Sequence, residues 1–272
     1  MKPLLIINNL AVRFASPEKP ERQVVGGFNL EVFPAETLAL VGESGCGKTT
    51  IARAILRLLD APGKITHGKI LYQEENILAL PEKRLRQIRW KEIALIFQEP
   101  ASALNPLRRA GSQVTEALRF HLRLDKKAAR AKTLQLFETL GLPEAERCLK
   151  AYPHELSSGM RQRVMIAMAI ACEPKLIIAD EPTTALDARH QCEVLECLQG
   201  LKRKRGLSLL FITHDLGLVS AWANRLAIMH EGRIVEVGTT LEILARPQHP
   251  QTRQLLQAAG KFNRTIYDEA CF

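Results

Sequence analysis

The segment from Gly42 to Thr49 combines residue types that suit phosphate binding, in the spacing G-x-x-x-x-G-K-T. Its glycines let successive backbone N–H groups wrap around phosphate oxygens, and a helix beginning at Lys48 would point its N-terminal dipole at the same anion. Lys48 adds a positive charge, and the hydroxyl of Thr49 suits Mg²⁺. We therefore predict a nucleotide site whose phosphate-binding residues are Gly42, Glu43, Ser44, Gly45, Cys46, Gly47, Lys48, Thr49 and Thr50.

A second segment places two acids directly after the apolar run Leu176–Ala179. A buried strand that ends in this way would deliver Asp180 to Mg²⁺ and place Glu181 to polarise an attacking water molecule as a general base. By itself the pattern is weak, because many buried strands end in acidic residues. Together with the phosphate-binding loop it predicts hydrolysis of a nucleotide, with ATP and Mg²⁺ as the expected ligands.

The composition is that of a globular protein, with 46% apolar and 25% charged residues among 272, which excludes low-complexity disorder. No apolar run approaches the roughly 18 residues of a membrane-spanning helix, and the N-terminal apolar run is too short for a signal peptide, so we expect residence in the cytosol. The net charge of +9 suggests an anionic partner, such as nucleotide, nucleic acid or a membrane surface, but solvated helix faces are the more common explanation of such charge.

The pattern of strands and helices indicates an α/β fold with a mostly parallel sheet. Leu176–Ala179 and Leu209–Thr213 read as buried strands with a helix between them, which is a βαβ unit. The middle of the chain, from about Val114 to Ala171, is almost entirely helix-patterned and reads as a helical insertion. Near the N-terminus, Ser16–Arg22 is polar and contains prolines, so we expect a surface loop there. The helix after the phosphate-binding loop is predicted to span Lys48–Leu59.

Five ordered segments together resemble the ATPases of ABC transporters, over about residues 4 to 256. Besides the two segments above, they are the signature-like Tyr152–Arg163, the glutamine loop Phe97–Pro100 and the switch-histidine segment Thr213–Asp215. The resemblance implies a P-loop NTPase with a RecA-like core, an antiparallel β-subdomain and a helical insertion. It further implies an ABC ATPase domain over 1–256, with its core at about 1–98 and 172–240, a helical subdomain at about 99–171, and a tail at 257–272.

The resemblance also implies roles for particular residues, each beside a simpler alternative. Glu181 and His214 would be catalytic, although an isolated histidine is more often a satisfied surface or core residue. Gln98 would contact Mg²⁺ and water, with its loop facing a transmembrane partner, where the alternative is a neutral loop residue. Phe14 matches the aromatic residue that stacks on adenine, but a strand-packing role fits it nearly as well. The residues implied to reach the nucleotide of an opposite subunit are Ser157, Ser158, Gly159 and Asp187.

The resemblance implies that Ser157 caps a helix and also faces the nucleotide of the opposite subunit, so a second cassette packed head to tail is needed. Ser158 stands where the family has its first signature glycine, and its Cβ would be strained if the position requires a positive φ. We therefore expect slower turnover at the site that this segment completes. A non-catalytic regulator is one alternative, and a nucleic-acid ATPase is another, less favoured because the insertion is short and cysteine-poor.

Three segments are similar to the peptide/nickel importer group: Ser102–Pro106, Met160–Ala169 and the tail Arg246–Arg253. Within that group the chain resembles the nickel-import ATPases that pair with a second, different ATPase, because it ends without the cysteine-containing extension of oligopeptide members. The implied partners are this second ATPase, two transmembrane permease subunits and a solute-binding protein, at the cytoplasmic face of the inner membrane and without nucleic acid. Nickel or a metal chelate is the expected cargo, with peptide as the alternative. Gln251 replaces the tail's usual tyrosine.

Overall fold

Two β-sheets organise the chain. The computed structural model describes residues 1–16, 19–98, 103–182 and 188–261. Its strands are β1 Leu5–Ser16, β2 Lys19–Val32, β3 Thr37–Gly42, β4 Gly63–Tyr72, β5 Glu75–Asn76, β6 Ile93–Ile96, β7 Leu176–Asp180, β8 Ser208–Thr213, β9 Arg225–His230 and β10 Arg233–Thr239. Its α-helices are α1 Lys48–Ile55, α2 Glu82–Ile88, α3 Ala110–Leu122, α4 Lys126–Thr139, α5 Ala145–Lys150, α6 Ser158–Ile170, α7 Ala188–Arg205, α8 Leu216–Ser220, α9 Thr240–Ala245 and α10 Pro250–Lys261.

The larger sheet has six strands in the order β10-β9-β3-β8-β7-β6. All neighbours from β9 to β6 run parallel, and only β10 pairs antiparallel, at the edge. This confirms the predicted βαβ unit and the mostly parallel sheet. The smaller sheet, β2-β1-β4-β5, is antiparallel throughout, as the resemblance implied.

The central strands are buried on both faces, because each face of the parallel sheet carries its own layer. Alternate residues of β7 show this most directly: Leu176 and Ile178 pack with α1 and the antiparallel sheet, whereas Ile177 and Ala179 pack with the helical region that contains α3 to α6. The sheet therefore separates two cores and holds its strand ends in fixed relative positions. No helix in the described ranges is long and apolar enough to cross a membrane.

Two predictions of local structure are wrong. Residues 19–22 do not form a loop but the start of β2, where Arg22 lies opposite Phe14. β2 is an edge strand, so the missing N–H group of Pro20 does not cost a hydrogen bond between two inner strands. Polar side chains of this strand can face water while its backbone pairs with β1. The helix after the phosphate-binding loop ends at Ile55 rather than Leu59, because Arg57 adopts a left-handed conformation with φ of 52°.

Candidate functional site

The phosphate-binding loop lies where β3 ends, between the ends of β8 and β9. α1 begins at Lys48, so its free N–H groups point back into the loop. The preceding residue has to be glycine: Gly47 has φ of 107°, and an added Cβ would lie only 3.2 Å from the carbonyl oxygen of Val24 and 3.1 Å from Cε of Met229. The local backbone geometry thus supports the predicted arrangement of N–H groups around an anion.

Lys48 is nearly buried, with 5% of its surface exposed. Its Nζ donates hydrogen bonds to the carbonyl oxygens of Gly42 at 2.8 Å and Glu43 at 2.9 Å. The ammonium group is therefore bound to the backbone at the start of the loop and does not extend into solvent. Thr50, the third residue of α1, is half-buried behind it.

Two of the three predicted magnesium ligands, Thr49 and Asp180, are in direct contact. Oγ1 of Thr49 donates a hydrogen bond to Oδ1 of Asp180 at 3.2 Å, which joins the start of α1 to the end of β7. Asp180 is only 4% exposed. Burial raises the pKa of its carboxyl group, and the hydrogen bond from Thr49 only partly offsets this effect. A hydroxyl and a buried carboxylate, both oxygen donors, suit Mg²⁺ as protein ligands that leave room for phosphate and water.

Glu181 lies at the centre of a three-residue hydrogen-bonded cluster. Its Oε2 accepts from Nε2 of Gln98 at 3.2 Å, and its Oε1 lies 3.1 Å from Nδ1 of His214. The three residues follow β6, β7 and β8, which are neighbouring parallel strands, so the sheet brings their carboxyl ends together. The side chain of Glu181 is 11% exposed and that of His214 is 49% exposed. The structure therefore assembles in one place what the sequence spreads over more than a hundred residues.

The backbone of Glu181 is in the left-handed region, with φ of 46°. Its N–H group donates to the carbonyl oxygen of Ile212 at 2.9 Å, which extends the pairing of β7 with β8 by one residue. A non-glycine residue in this conformation costs about 1 kcal/mol or more. The hydrogen bond to Ile212 helps to offset this cost. The conformation directs the carboxylate toward Gln98 and His214.

The signature-like segment forms the N-terminus of α6. Oγ of Ser157 accepts a hydrogen bond from the N–H group of Met160 at 3.2 Å, so the predicted N-cap is present. Ser158 and Gly159 are already helical, and Ser158 therefore does not adopt a positive φ. The expected strain at Ser158 is wrong, because a position inside the first turn accepts any residue with a Cβ. Within the described ranges, no hydrogen bond joins this segment to the phosphate-binding loop of the same chain.

Two other predicted residues have different outcomes. Phe14 is half-buried on β1, with its ring packed over Gly63, where an added Cβ would lie 2.6 Å from Cε1 of Phe14. This contact is the strand-packing role that the sequence left open, and stacking on adenine stays a prediction. Asp187 lies outside the described residues.

Sequence analysis missed residues that come close only through tertiary structure. A cavity of about 360 Å³ beside the phosphate-binding loop is lined by Arg22, Gln23 and Val24 from β2 and by the β9–β10 turn 230–232. Gly232 donates its N–H to the carbonyl oxygen of Cys46 at 3.1 Å. Gln162, 1% exposed, donates from Nε2 to the carbonyl oxygen of Pro182 at 2.6 Å, which ties α6 to the residue after Glu181. No local pattern signals these contacts.

Comparison with known proteins identifies the family. The profile of the family described as ABC transporter matches residues 25–184, more than half of the chain and including the phosphate-binding loop, Gln98, the signature-like segment and Glu181. The chain belongs to the ABC transporter family. Its fold is that of an ABC ATPase cassette, and a dimeric post-hydrolysis structure of the ATP-binding cassette MJ0796 with ADP and Pi matches it with a TM-score of 0.78 and 27% identity, over 87% of this chain and 98% of MJ0796.

Three relatives of this ABC cassette have names that refer to transport of peptides or peptidoglycan. It is 44% identical to the dipeptide transport ATP-binding protein DppD of Bacillus subtilis over 97% of the chain and 78% of DppD. It is 46% identical to the oligopeptide transport ATP-binding protein OppD of the same organism, over 93% of the chain and 71% of OppD. The peptidoglycan transport ATP-binding protein YejF of Agrobacterium fabrum is 48% identical over 96% of the chain, which spans about half (48%) of YejF.

Proposed function

We propose that this ABC cassette is the ATP-hydrolysing subunit of an importer of peptides. The observation that carries the hydrolytic part of the proposal is the cluster at the strand ends, where the carboxylate of Glu181 lies against Gln98 and His214, next to the pair formed by Thr49 and Asp180. Hydrolysis of a phosphoanhydride requires a general base, polar groups that contact the nucleotide, and ligands for Mg²⁺. The cluster and the neighbouring pair supply all three.

The residues divide the work as follows. The loop N–H groups, the N-terminus of α1 and Lys48 bind the phosphates of ATP and balance their negative charge. Thr49, Asp180 and Gln98 would hold Mg²⁺, which when bound supplies further positive charge to the phosphates. Glu181 accepts a proton from the attacking water, and His214 keeps the carboxylate oriented and lies where the γ-phosphate is to be contacted. The predicted contact of Phe14 with adenine is part of this proposal.

The cargo is proposed to be peptide rather than nickel. The nickel expectation depended on the absence of a C-terminal extension, which is indirect. DppD and OppD, named for dipeptide and oligopeptide transport, match nearly the whole chain at 44% and 46% identity, which supports the alternative. In a strain that lacks this protein, we expect uptake of a labelled dipeptide or tripeptide to fall to background while nickel accumulation stays normal. Normal peptide uptake with lost nickel accumulation would reverse the assignment.

The partners are proposed on the same basis. A second ATPase subunit packs head to tail, and Ser157, Ser158, Gly159 and Asp187 of one cassette complete the nucleotide site of the other. Two permease subunits and a solute-binding protein complete the importer, which places the cassette at the cytoplasmic face of the inner membrane.

The domain limits proposed above, 1–256 with a helical subdomain at about 99–171, assign α3 to α6 to the part that presents the signature-like segment. The helical conformation of Ser158 favours an active site over a purely regulatory one.

The catalytic assignment is tested by Glu181→Gln, which keeps the shape of the side chain and removes the base. We expect normal binding of a fluorescent ATP analogue and a loss of at least about 100-fold in ATP turnover, in the range that removal of a general base produces. The matched control is Glu138→Gln, an exposed residue of α4, which should leave both quantities unchanged. Turnover in Glu181→Gln equal to that of the control would remove Glu181 from this role.

A further inference from the structure

The C-terminal helix α10 is fixed to the parallel sheet through one acidic residue of β10. The carboxylate of Glu236 accepts hydrogen bonds from the N–H groups of Gln248 at 2.9 Å and His249 at 3.0 Å, and from Oγ1 of Thr252 at 2.5 Å. Burial opposes ionisation of this group, but the hydrogen bonds outweigh burial and lower the pKa of Glu236. The start of α10 therefore has a defined position relative to the strands that surround the nucleotide loop.

From this position α10 reaches the phosphate-binding loop. Nε2 of Gln251 donates a hydrogen bond to Oε1 of Glu43 at 2.7 Å, across 208 positions of sequence. Gln251 is 7% exposed, whereas Glu43 is exposed. The backbone N–H group of Gln251 also donates a hydrogen bond, to Nδ1 of His249 at 3.2 Å, so the residue is held through both its backbone and its side chain.

Glu43 is the acidic residue of a loop whose other features all favour an anion. A carboxylate that is free to move over this loop would compete with phosphate oxygens for the N–H groups and for Lys48, and would repel the phosphates at short range. A carboxylate hydrogen-bonded to α10 is restrained from moving over the loop N–H groups and Lys48. The direct contact at 2.7 Å restricts it to the α10 side of the loop.

We propose that Gln251 is a positioning residue for nucleotide binding, which acts by holding the carboxylate of Glu43 against α10. The inference depends on the proposed function only in that the loop binds nucleotide. It assigns to the C-terminal segment 246–252 a part in the nucleotide site of its own chain. It also gives Gln251, which departs from the tyrosine usual in this family's tail, a physical role.

The test compares the affinity of the full chain for a fluorescent ATP analogue with Mg²⁺. Gln251→Ala should bind about two- to tenfold more weakly than the unmodified chain, which corresponds to the net contribution of one hydrogen bond. Gln251→Glu should bind more weakly still, because it places a second carboxylate beside Glu43. Gln254→Ala, the same change at an exposed position one turn along α10, is the matched control and should bind normally.

The charge mechanism is tested by rescue. Glu43→Gln removes the carboxylate, so adding Gln251→Ala to it should no longer weaken binding. Equal affinity of Gln251→Ala and Gln254→Ala would overturn the inference and leave the proposed function intact. Weak binding by Gln251→Ala that Glu43→Gln does not restore would also overturn it, because α10 would then act through structure alone. Failure of the unmodified chain to bind nucleotide would refute the proposed function itself.

Discussion

The carboxylates at the end of β7 are held in conformations and surroundings that the isolated chain would not favour. Glu181 has a left-handed backbone, and Asp180 is almost completely buried. Both features cost stability in the absence of ligand, and costs of this kind concentrate at functional sites. At the scale of single residues, these costs support the proposed site for a cation and a phosphate chain.

Replacing Asp180 tests this cost directly. Because burial raises the folded-state pKa of Asp180 above its unfolded value, the ionised carboxylate destabilises the fold at neutral pH, and this penalty disappears as the pH falls through the raised pKa toward the ordinary value of about 4. We expect Asp180→Asn to melt a few degrees higher than the parent at pH 8, without nucleotide, and to lose Mg²⁺-dependent ATP turnover.

The pH dependence is the control for that experiment. The difference in melting temperature between Asp180→Asn and the parent should shrink steadily as the pH is lowered toward 4 in thermal melts. A constant difference, or a lower melting temperature of the variant at pH 8, would show that the carboxylate does not carry a burial penalty.

At the scale of elements, α6 combines a structural and a proposed chemical role in its cap. Ser157 satisfies the N–H group of Met160, and the same hydroxyl is proposed to face the nucleotide of a second cassette. Substitutions of Ser157 can distinguish the capping role from the phosphate contact, because aspartate is as good an N-cap as serine but carries a negative charge.

We therefore expect Ser157→Asp to keep the melting temperature and to lower ATP turnover at least tenfold, since its charge would repel a phosphate. Ser157→Ala should lower the free energy of unfolding by about 1 kcal/mol. The comparison is Asp125→Ala, which removes the cap of α4, where Asp125 accepts from Lys127 and Ala128. It should cost similar stability without affecting turnover. Full turnover in Ser157→Asp would exclude a contact with phosphate.

At the scale of the whole molecule, the parallel sheet holds the nucleotide loop and the acidic residues at one edge, and in the proposed function another chain supplies the second half of the site. The loop, Asp180 and Glu181 converge at one edge, while Ser157 caps a helix that forms no hydrogen bond with that loop within the described residues. A complete site then depends on association, and association depends on concentration.

Turnover per chain should accordingly rise with protein concentration. We expect ATP turnover measured over about three decades of concentration to increase until pairing saturates, following mass action. The control is the affinity of the monomer for the fluorescent analogue. This affinity should depend only on the loop and should not change with protein concentration. Turnover per chain that does not change over this range would mean that one cassette completes its own site.

Sequence patterns predicted the α/β fold, the phosphate-binding loop and the acids after β7, because each depends on short-range spacing. They misjudged the ends of β2 and α1, where edge-strand pairing and the backbone of Arg57 override composition. They could not supply the contacts of Gln162 with Pro182 or of Gln251 with Glu43, since these join residues that are distant in sequence and are set by packing. Resemblance assigned Gln98 and His214 to the nucleotide site, but nothing in the sequence indicated that both contact Glu181.

The strand order has a consequence for biosynthesis. β3, which carries the phosphate-binding loop, has β8 and β9 as its neighbours, and both lie near the other end of the chain. During translation β3 leaves the ribosome early but has no partner strand until β8 and β9 have been made, roughly 10 to 40 s later at ordinary elongation rates. For that time the apolar side chains of β3 lack the neighbouring strands that bury them, and the nucleotide loop cannot reach its final position between those strands.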